Sequence, residues 1–203
     1  MKPQNVLEKL FDHVSSFITI NKGEMELLTE LTQVKLYKKG EYLLEAGKIS
    51  KAFYFNATGI VRLFYGVNGE ERTGFFYHEN SFINPYASFR KQEPSNYYLK
   101  ALKDTDVIVF RYEILEPLLT KIPKLERLAR MIMEQELMVL QEVVEVMVTL
   151  SPEERFNRLM DRSPEIFQHV SQTQIASYLG VKPESLSRIK KRSLNKDKNL
   201  KSQ

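Results

Sequence analysis

The side chains best suited to chemistry lie together in residues 171–192, SQTQIASYLGVKPESLSRIKKR. They offer amide, hydroxyl, carboxylate, guanidinium and ammonium groups, and the chemistry these suit is reversible recognition of a polyanion. Ser171 followed by Gln174 is a capping-box start for a helix. Ile175, Ala176 and Leu179 then face inward, and Ala176 is small enough for a second helix to approach closely. Gly180 sits where a tight turn needs left-handed backbone, and Val181 plugs the corner. Pro183 starts a second helix whose buried positions are Leu186 and Ile189. Glu184, Ser185, Ser187, Arg188, Lys191 and Arg192 are left facing outward, with Glu184 and Arg188 one turn apart on one face. In a helix-turn-helix, the N-terminal half of the second helix enters the DNA major groove. Arg188 then suits a two-bond contact to guanine O6 and N7, worth ~1–3 kcal/mol of discrimination, and Glu184 suits cytosine N4. Gln172, Thr173, Lys182, Lys190, Lys191 and Arg192 suit phosphates, which set register and affinity. The competing reading is a plain helical hairpin with Glu184 and Arg188 as a surface ion pair. Lys182 departs from the Ser or Asn preferred at an N-cap.

Such a unit needs elements that hold it in place. Residues 123–150 run without proline or glycine after Pro123 and read as one long helix of about 40 Å at 1.5 Å per residue. It carries two apolar stripes. Leu125, Ala129, Ile132, Val139, Val143, Val146 and Leu150 form a seven-residue repeat broken only by Glu136; Met133, Leu137, Leu140, Val144 and Met147 form the other. Two stripes mean burial on two sides, one against a β domain and one against the same helix of a second copy. Leu125, Ala129, Ile132, Val139, Val143 and Val146 are assigned to the homodimer interface. An ordinary central core helix is the alternative. Upstream, residues 33–110 hold short aromatic and β-branched runs separated by turn residues, which indicates a β-sandwich, roll or barrel. Asn68-Gly69 is its sharpest hairpin signal. Residues 3–31 show helical spacing.

Composition bounds the function. The chain has 203 residues, 42% apolar and 28% charged, which fits a globular protein of one or two domains. Residues 1–150 hold 19 basic and 20 acidic side chains, whereas residues 182–203 hold 8 and 2. One basic end on a near-neutral body points to a polyanion there, or to a solvated terminus. No apolar run approaches the ~20 residues of a membrane span, and residues 1–14 lack a secretory signal, so a cytoplasmic protein without membrane partners is expected. Cysteine is absent, which excludes disulfides, thiolate zinc sites, cysteine-ligated iron–sulfur clusters and a cysteine nucleophile. Three scattered histidines (His13, His78 and His169) argue against a metal site. No nucleophile–base constellation or phosphate-cradling glycine loop marks an enzyme, and Glu70-Glu71 beside the hairpin reads as a solvated loop.

IASYLGVKPESLSRI resembles the helix-turn-helix of the CRP/FNR transcription regulators, the catabolite-activator type. GEYLLEAG, FYFNATGIVRLFY and NGEE resemble that family's cyclic-nucleotide-binding β-roll, and the helix from Pro123 resembles its dimerisation helix. The resemblance implies an α+β chain: a jelly-roll (double-stranded β-helix) effector domain at 1–115, a connecting and dimerisation helix at 116–150, and an all-α helix-turn-helix domain at 151–203. It implies a homodimer on near-palindromic double-stranded DNA, with RNA polymerase as a candidate further partner. The family's nucleotide pocket uses a Gly-Glu pair and, about ten residues later, Arg-Ser or Arg-Thr. Asn84-Pro85 and Ser95-Asn96 occupy those places here. The effector pocket is therefore assigned to Asn84, Pro85, Tyr86, Ser95 and Asn96, without a carboxylate for ribose or a guanidinium for the cyclic phosphate. A buried phosphate without a cation is costly, so cyclic AMP is not expected as ligand. The oxygen-sensing branch needs cysteines, and the haem branch needs ligands for which only His78 is a candidate; no cofactor is expected. The chain ends soon after the second helix, so the usual wing hairpin is expected to be shortened or missing. A sensor acting through protein contacts, with a vestigial helix-turn-helix, is the competing function.

Overall fold

The computed structural model describes residues 2–200, with side chains through residue 193. Two helices open the chain, α1 (Pro3–Ser15) and α2 (Lys22–Leu31). Asn21 caps α2 reciprocally with Glu24. Eight strands follow: β1 (Gln33–Tyr37), β2 (Tyr42–Leu44), β3 (Ala52–Asn56), β4 (Val61–Val67), β5 (Glu70–Tyr77), β6 (Ser81–Ile83), β7 (Tyr98–Ala101) and β8 (Thr105–Arg111). A short helix, α3 (Tyr86–Lys91), interrupts them. They form two four-stranded sheets in the orders β1-β8-β3-β6 and β2-β7-β4-β5, the sandwich of a jelly roll.

Alternation along β3 and β8 explains how one sheet holds two cores. Tyr54 pairs with Val109, and both side chains point between the sheets with Val61, Leu99 and Ile83. Phe55 pairs with Ile108, and both point outward, where α1, α2 and the later helices cover them. Fully burying one such side chain stabilises by ~1.5–3 kcal/mol, so a one-residue slip would exchange both cores at once. The β4–β5 turn is made by Asn68 (φ 53°) and Gly69 (φ 81°), as the sequence signal requires. Strands β2 and β6 are three residues each, too short for alternation to show, and α3 has a single apolar pair.

Beyond the sandwich lie α4 (Tyr112–Lys121), α5 (Lys124–Thr149), α6 (Pro152–Arg162), α7 (Ile166–His169), α8 (Gln172–Leu179) and α9 (Pro183–Leu200). The chain divides into two compact units, Met1–Tyr65 with Phe75–Glu136, and Gly66–Gly74 with Leu137–Gln203. This differs from the expected boundaries in three ways. The boundary at 115/116 falls inside α4, which packs on β8. The long helix is no separate connector, because its first half belongs to one unit and its second half to the other. The hairpin tip Gly66–Gly74 also joins the C-terminal helices. Helical periodicity reveals a helix but not which neighbours its halves touch.

Candidate nucleic-acid interface

In the second unit, local sequence builds the turn directly. Ser171 accepts a hydrogen bond from the Gln174 backbone N–H, and the Gln174 side chain accepts one from the Ser171 N–H, each at 3.3 Å. Gly180 takes the left-handed conformation (φ 69°, ψ 31°), and the Val181 N–H donates back to the Ala176 carbonyl at 2.9 Å. Lys182 is the N-cap: its carbonyl accepts from the Leu186 N–H at 3.1 Å while its side chain stays exposed. Ile175, Ala176, Leu179, Leu186 and Ile189 are buried, and Val181 is half-buried. The capping box of α6, Ser151 with Glu154, anchors the helix that packs under α9.

This packing exposes Gln172, Thr173, Glu184, Ser187, Arg188, Lys190 and Lys191, with Ser185 half-buried. Glu184, Arg188 and Lys191 follow one another at four- and three-residue steps along one exposed ridge of α9. No ion pair joins Glu184 to Arg188 among the described residues, so both remain available to an incoming surface. Lys190 leaves the opposite side of the helix and lines a small hollow with Gln172 and Ser187. Ser187 Oγ donates to the Pro183 carbonyl one turn back, at 3.2 Å. Arg192, assigned to phosphate, instead lies 3.4 Å from the Glu153 carboxylate at the N-terminus of α6. The acidic first turn of α6 attracts that cation, a tertiary contact the spacing of α9 does not show. The basic residues beyond Ser193 lie outside the described side chains.

Two contacts in this unit had no sequence signal. The hairpin tip docks on α8: the Thr73 N–H donates to Ser177 Oγ at 2.9 Å, and Thr73 Oγ1 donates to the Gln174 carbonyl at 3.2 Å. The expected solvated loop at Glu70-Glu71 is thus only partly so. Glu70 pairs with Arg72, while the Glu71 carbonyl accepts from Ser177 Oγ at 3.3 Å. Glu142 on α5 accepts from both Arg158 and Arg162 of α6, and the two guanidiniums hold its carboxyl below the usual carboxylate range.

The assigned dimer residues divide. Leu125 is 6% exposed inside its own chain's core, and Ile132 packs against the same core. Ala129 and Val139 are exposed, while Val143 and Val146 are half-buried. The strongly exposed apolar residues belong mainly to the other stripe: Leu137 (57%), Leu140 (58%), Val144 (62%) and Met147, joined by Met138 and Val148 (78%). The helix therefore turns its first stripe inward at its N-terminal end and leaves the second without cover. Two stripes of equal apolarity do not reveal which one the sandwich takes.

The assigned effector residues also separate. Asn84 and Tyr86 line an apolar cavity of about 280 Å³ in the first unit, with Phe53, Phe89, Phe110 and Met133. Pro85 is buried beside them without lining it. Ser95 is buried in a turn of its own: its Oγ donates to the Tyr97 carbonyl at 2.9 Å and accepts from the Tyr97 N–H at 3.2 Å. Asn96 is exposed. Ser95 and Asn96 thus leave the pocket, because their loop closes on itself and on Lys48, whose carbonyl accepts from the Ser95 N–H. Glu136, where the heptad breaks, is half-buried. Burial pushes its carboxyl up to about 7. Tyr97, raised to about 12 first by burial, also feels Tyr65 and the Glu136 charge, and Tyr77 is raised by burial and by the same carboxyl.

Residues 34–121 match the cyclic nucleotide-binding domain family. The chain is similar to the fumarate and nitrate reduction regulatory protein of Vibrio cholerae, at 27% identity over 84% of this chain and 73% of that one. It is similar to the transcriptional activator protein Anr of Pseudomonas protegens, at 23% identity over 85% and 75%. Over most of its length the chain is similar to CRP/FNR-type transcription regulators. The chain shares its fold with the c-di-GMP responsive global regulator CLP of Xanthomonas campestris, with a TM-score of 0.69 and 16% identity, covering 87% of this chain and 93% of that one. Its relatives are regulators rather than enzymes. No described helix of the chain is long and apolar enough to cross a membrane.

Proposed function

We propose that the chain acts as a homodimer that reads a two-fold-symmetric DNA site with the N-terminal half of α9. The observation that carries this reading is the exposed ridge Glu184–Arg188–Lys191 on a helix whose other face, Leu186 and Ile189, is buried. Arg188 reads a guanine edge, Glu184 a cytosine amine, and Lys191, Lys182, Gln172 and Thr173 hold phosphates. Lys190 lies off the ridge and reaches the backbone only from its flank, and Arg192 does so only after leaving Glu153. The second stripe of α5, centred on Leu140 and Val144, joins the two copies.

Cyclic AMP is not the effector in this reading. Pro85, Ser95 and Asn96 supply neither a carboxylate nor a guanidinium, and Ser95 is already committed to Tyr97. Calorimetry should show no cyclic AMP binding at micromolar concentration; a micromolar isotherm would overturn this part. The main test is selection of bound sequences from a random double-stranded DNA library, with and without a metabolite panel. A two-fold-symmetric consensus is the expected result. Absence of any enriched sequence under every condition would sink the DNA-reading function.

A further inference from the structure

The apolar cavity of the first unit is not the interior of the jelly roll. The space between the sheets is filled by Tyr54, Val61, Leu99, Ile83 and Val109, and the Tyr54 hydroxyl closes it by donating to the Leu43 carbonyl at 3.1 Å. The cavity lies on the outer side of the β1-β8-β3-β6 sheet, against the outward residues Phe53 and Phe110. Helices α1, α2, α3, α4 and α5 add to its wall through Leu10, Leu28, Phe89, Leu115 and Leu128.

Its polar groups are few and specific. Asn84 lines the cavity with an under-satisfied amide: among the described residues Oδ1 is buried without a hydrogen-bond partner, and Nδ2 reaches only Met133 Sδ, at 3.9 Å. Leaving such a group unpaired is costly, so it marks a place where a partner atom belongs. Two guanidiniums also line the cavity. Arg130 is neutralised by Glu134 at 2.6 Å, whereas Arg90 has no ion pair among the described residues. One uncommitted positive charge beside an aromatic and aliphatic wall suits a single negative charge on an apolar body. A phosphate dianion would leave charge uncompensated and waste the apolar wall. The volume, about 280 Å³, is near the lower end of the ~300–1,000 Å³ typical of ligand sites, so the body is short.

We propose that this cavity is a binding site for a short apolar monocarboxylate, its tail against Phe53, Phe89 and Phe110 and its head between Arg90 and the Asn84 amide. With the amide turned over, its NH₂ takes the place of the unpaired Oδ1 and donates to the carboxylate, while only the weak 3.9 Å contact from Nδ2 to Met133 Sδ is given up. This goes beyond recognition of DNA and does not depend on it, because the residues used all lie in the first unit.

The probe is octanoate, titrated calorimetrically into the full chain, with octanol as the uncharged comparison. One saturable site per chain is expected, with octanoate at least tenfold tighter than octanol. Arg90→Gln, a change at an exposed residue, should bring octanoate to within about twofold of octanol. Leu115→Trp, which fills the cavity from its edge, should remove both. Thermal melting of each variant establishes that it is folded. Three results would overturn the proposal: no saturable octanoate binding to the wild-type chain, equal affinity for octanoate and octanol, or folded Leu115→Trp binding octanoate as the wild type does.

Discussion

At the scale of single residues, charge placement separates reading from holding. Arg188 stands exposed without an ion pair among the described residues, so Arg188→Ala should abolish discrimination at one base pair per half-site, at ~1–3 kcal/mol, with little change elsewhere. Lys191→Ala should weaken binding to all sequences alike and reduce the slope of log affinity against log salt by about 1 per half-site. Binding titrations on single-base variants at several salt concentrations measure both, and full sequence selectivity in Arg188→Ala would contradict its assigned role. Glu136 makes a separate prediction for stability. Its folded-state pKa, about 7, stands above its ordinary 4.5, so the folded chain holds the proton more tightly than the unfolded chain. Its contribution is therefore full below about pH 4.5 and is lost as pH rises through about 7. Glu136→Gln should flatten that fall and stabilise the protein at pH 8 by ~1–2 kcal/mol, less than the whole shift implies because water still reaches the carboxyl. Urea unfolding at pH 5 and pH 8 reads the difference.

At the scale of elements, the turn was legible and the long helix was only half so. Ser171, Gln174, Gly180 and Pro183 act through bonds within a few residues of themselves, and such bonds form wherever the segment is placed. A methyl group at Gly180 would force a side chain into left-handed backbone; Met147 Cε, 3.3 Å from the new atom, is a flexible end that can yield. Gly180→Ala should therefore cost about 1–2 kcal/mol through the backbone alone and weaken DNA binding, as chemical denaturation and gel-shift titration would record. The two stripes of α5 were equally visible in the sequence, yet which one turns inward was not. That choice depends on Leu125 and Ile132 reaching the outer face of a sheet whose strands lie far away in the chain. The effector region shows the same division. Replacement of the charged pair at Asn84-Pro85 and Ser95-Asn96 is what the family resemblance implies, whereas closure of the Ser95 loop on Lys48 and Tyr97 had no signal in the sequence.

At the scale of the whole molecule, the proposed dimer rests on the exposed stripe of α5. Leu140→Glu combined with Val144→Glu changes two residues that are 58% and 62% exposed in the single chain, so the fold should persist while the dimer is lost. Sedimentation should show a monomer at micromolar concentration, and affinity for a symmetric site should fall at least ~100-fold with half-site affinity unchanged. A dimer that survives both changes would move the interface elsewhere on the chain. The sequence by itself determined the β-rich middle between helical ends, the hairpin at Asn68-Gly69 and the helix-turn-helix, because each depends on composition, periodicity or contacts within one turn. Only the tertiary structure decided that α5 turns its first stripe inward at its N-terminal end, that Arg192 is held by Glu153, that Thr73 docks on α8, and that an apolar cavity lies outside the sandwich. Those outcomes depend on side chains separated by tens of residues meeting in space, and local pattern carries no information about such meetings.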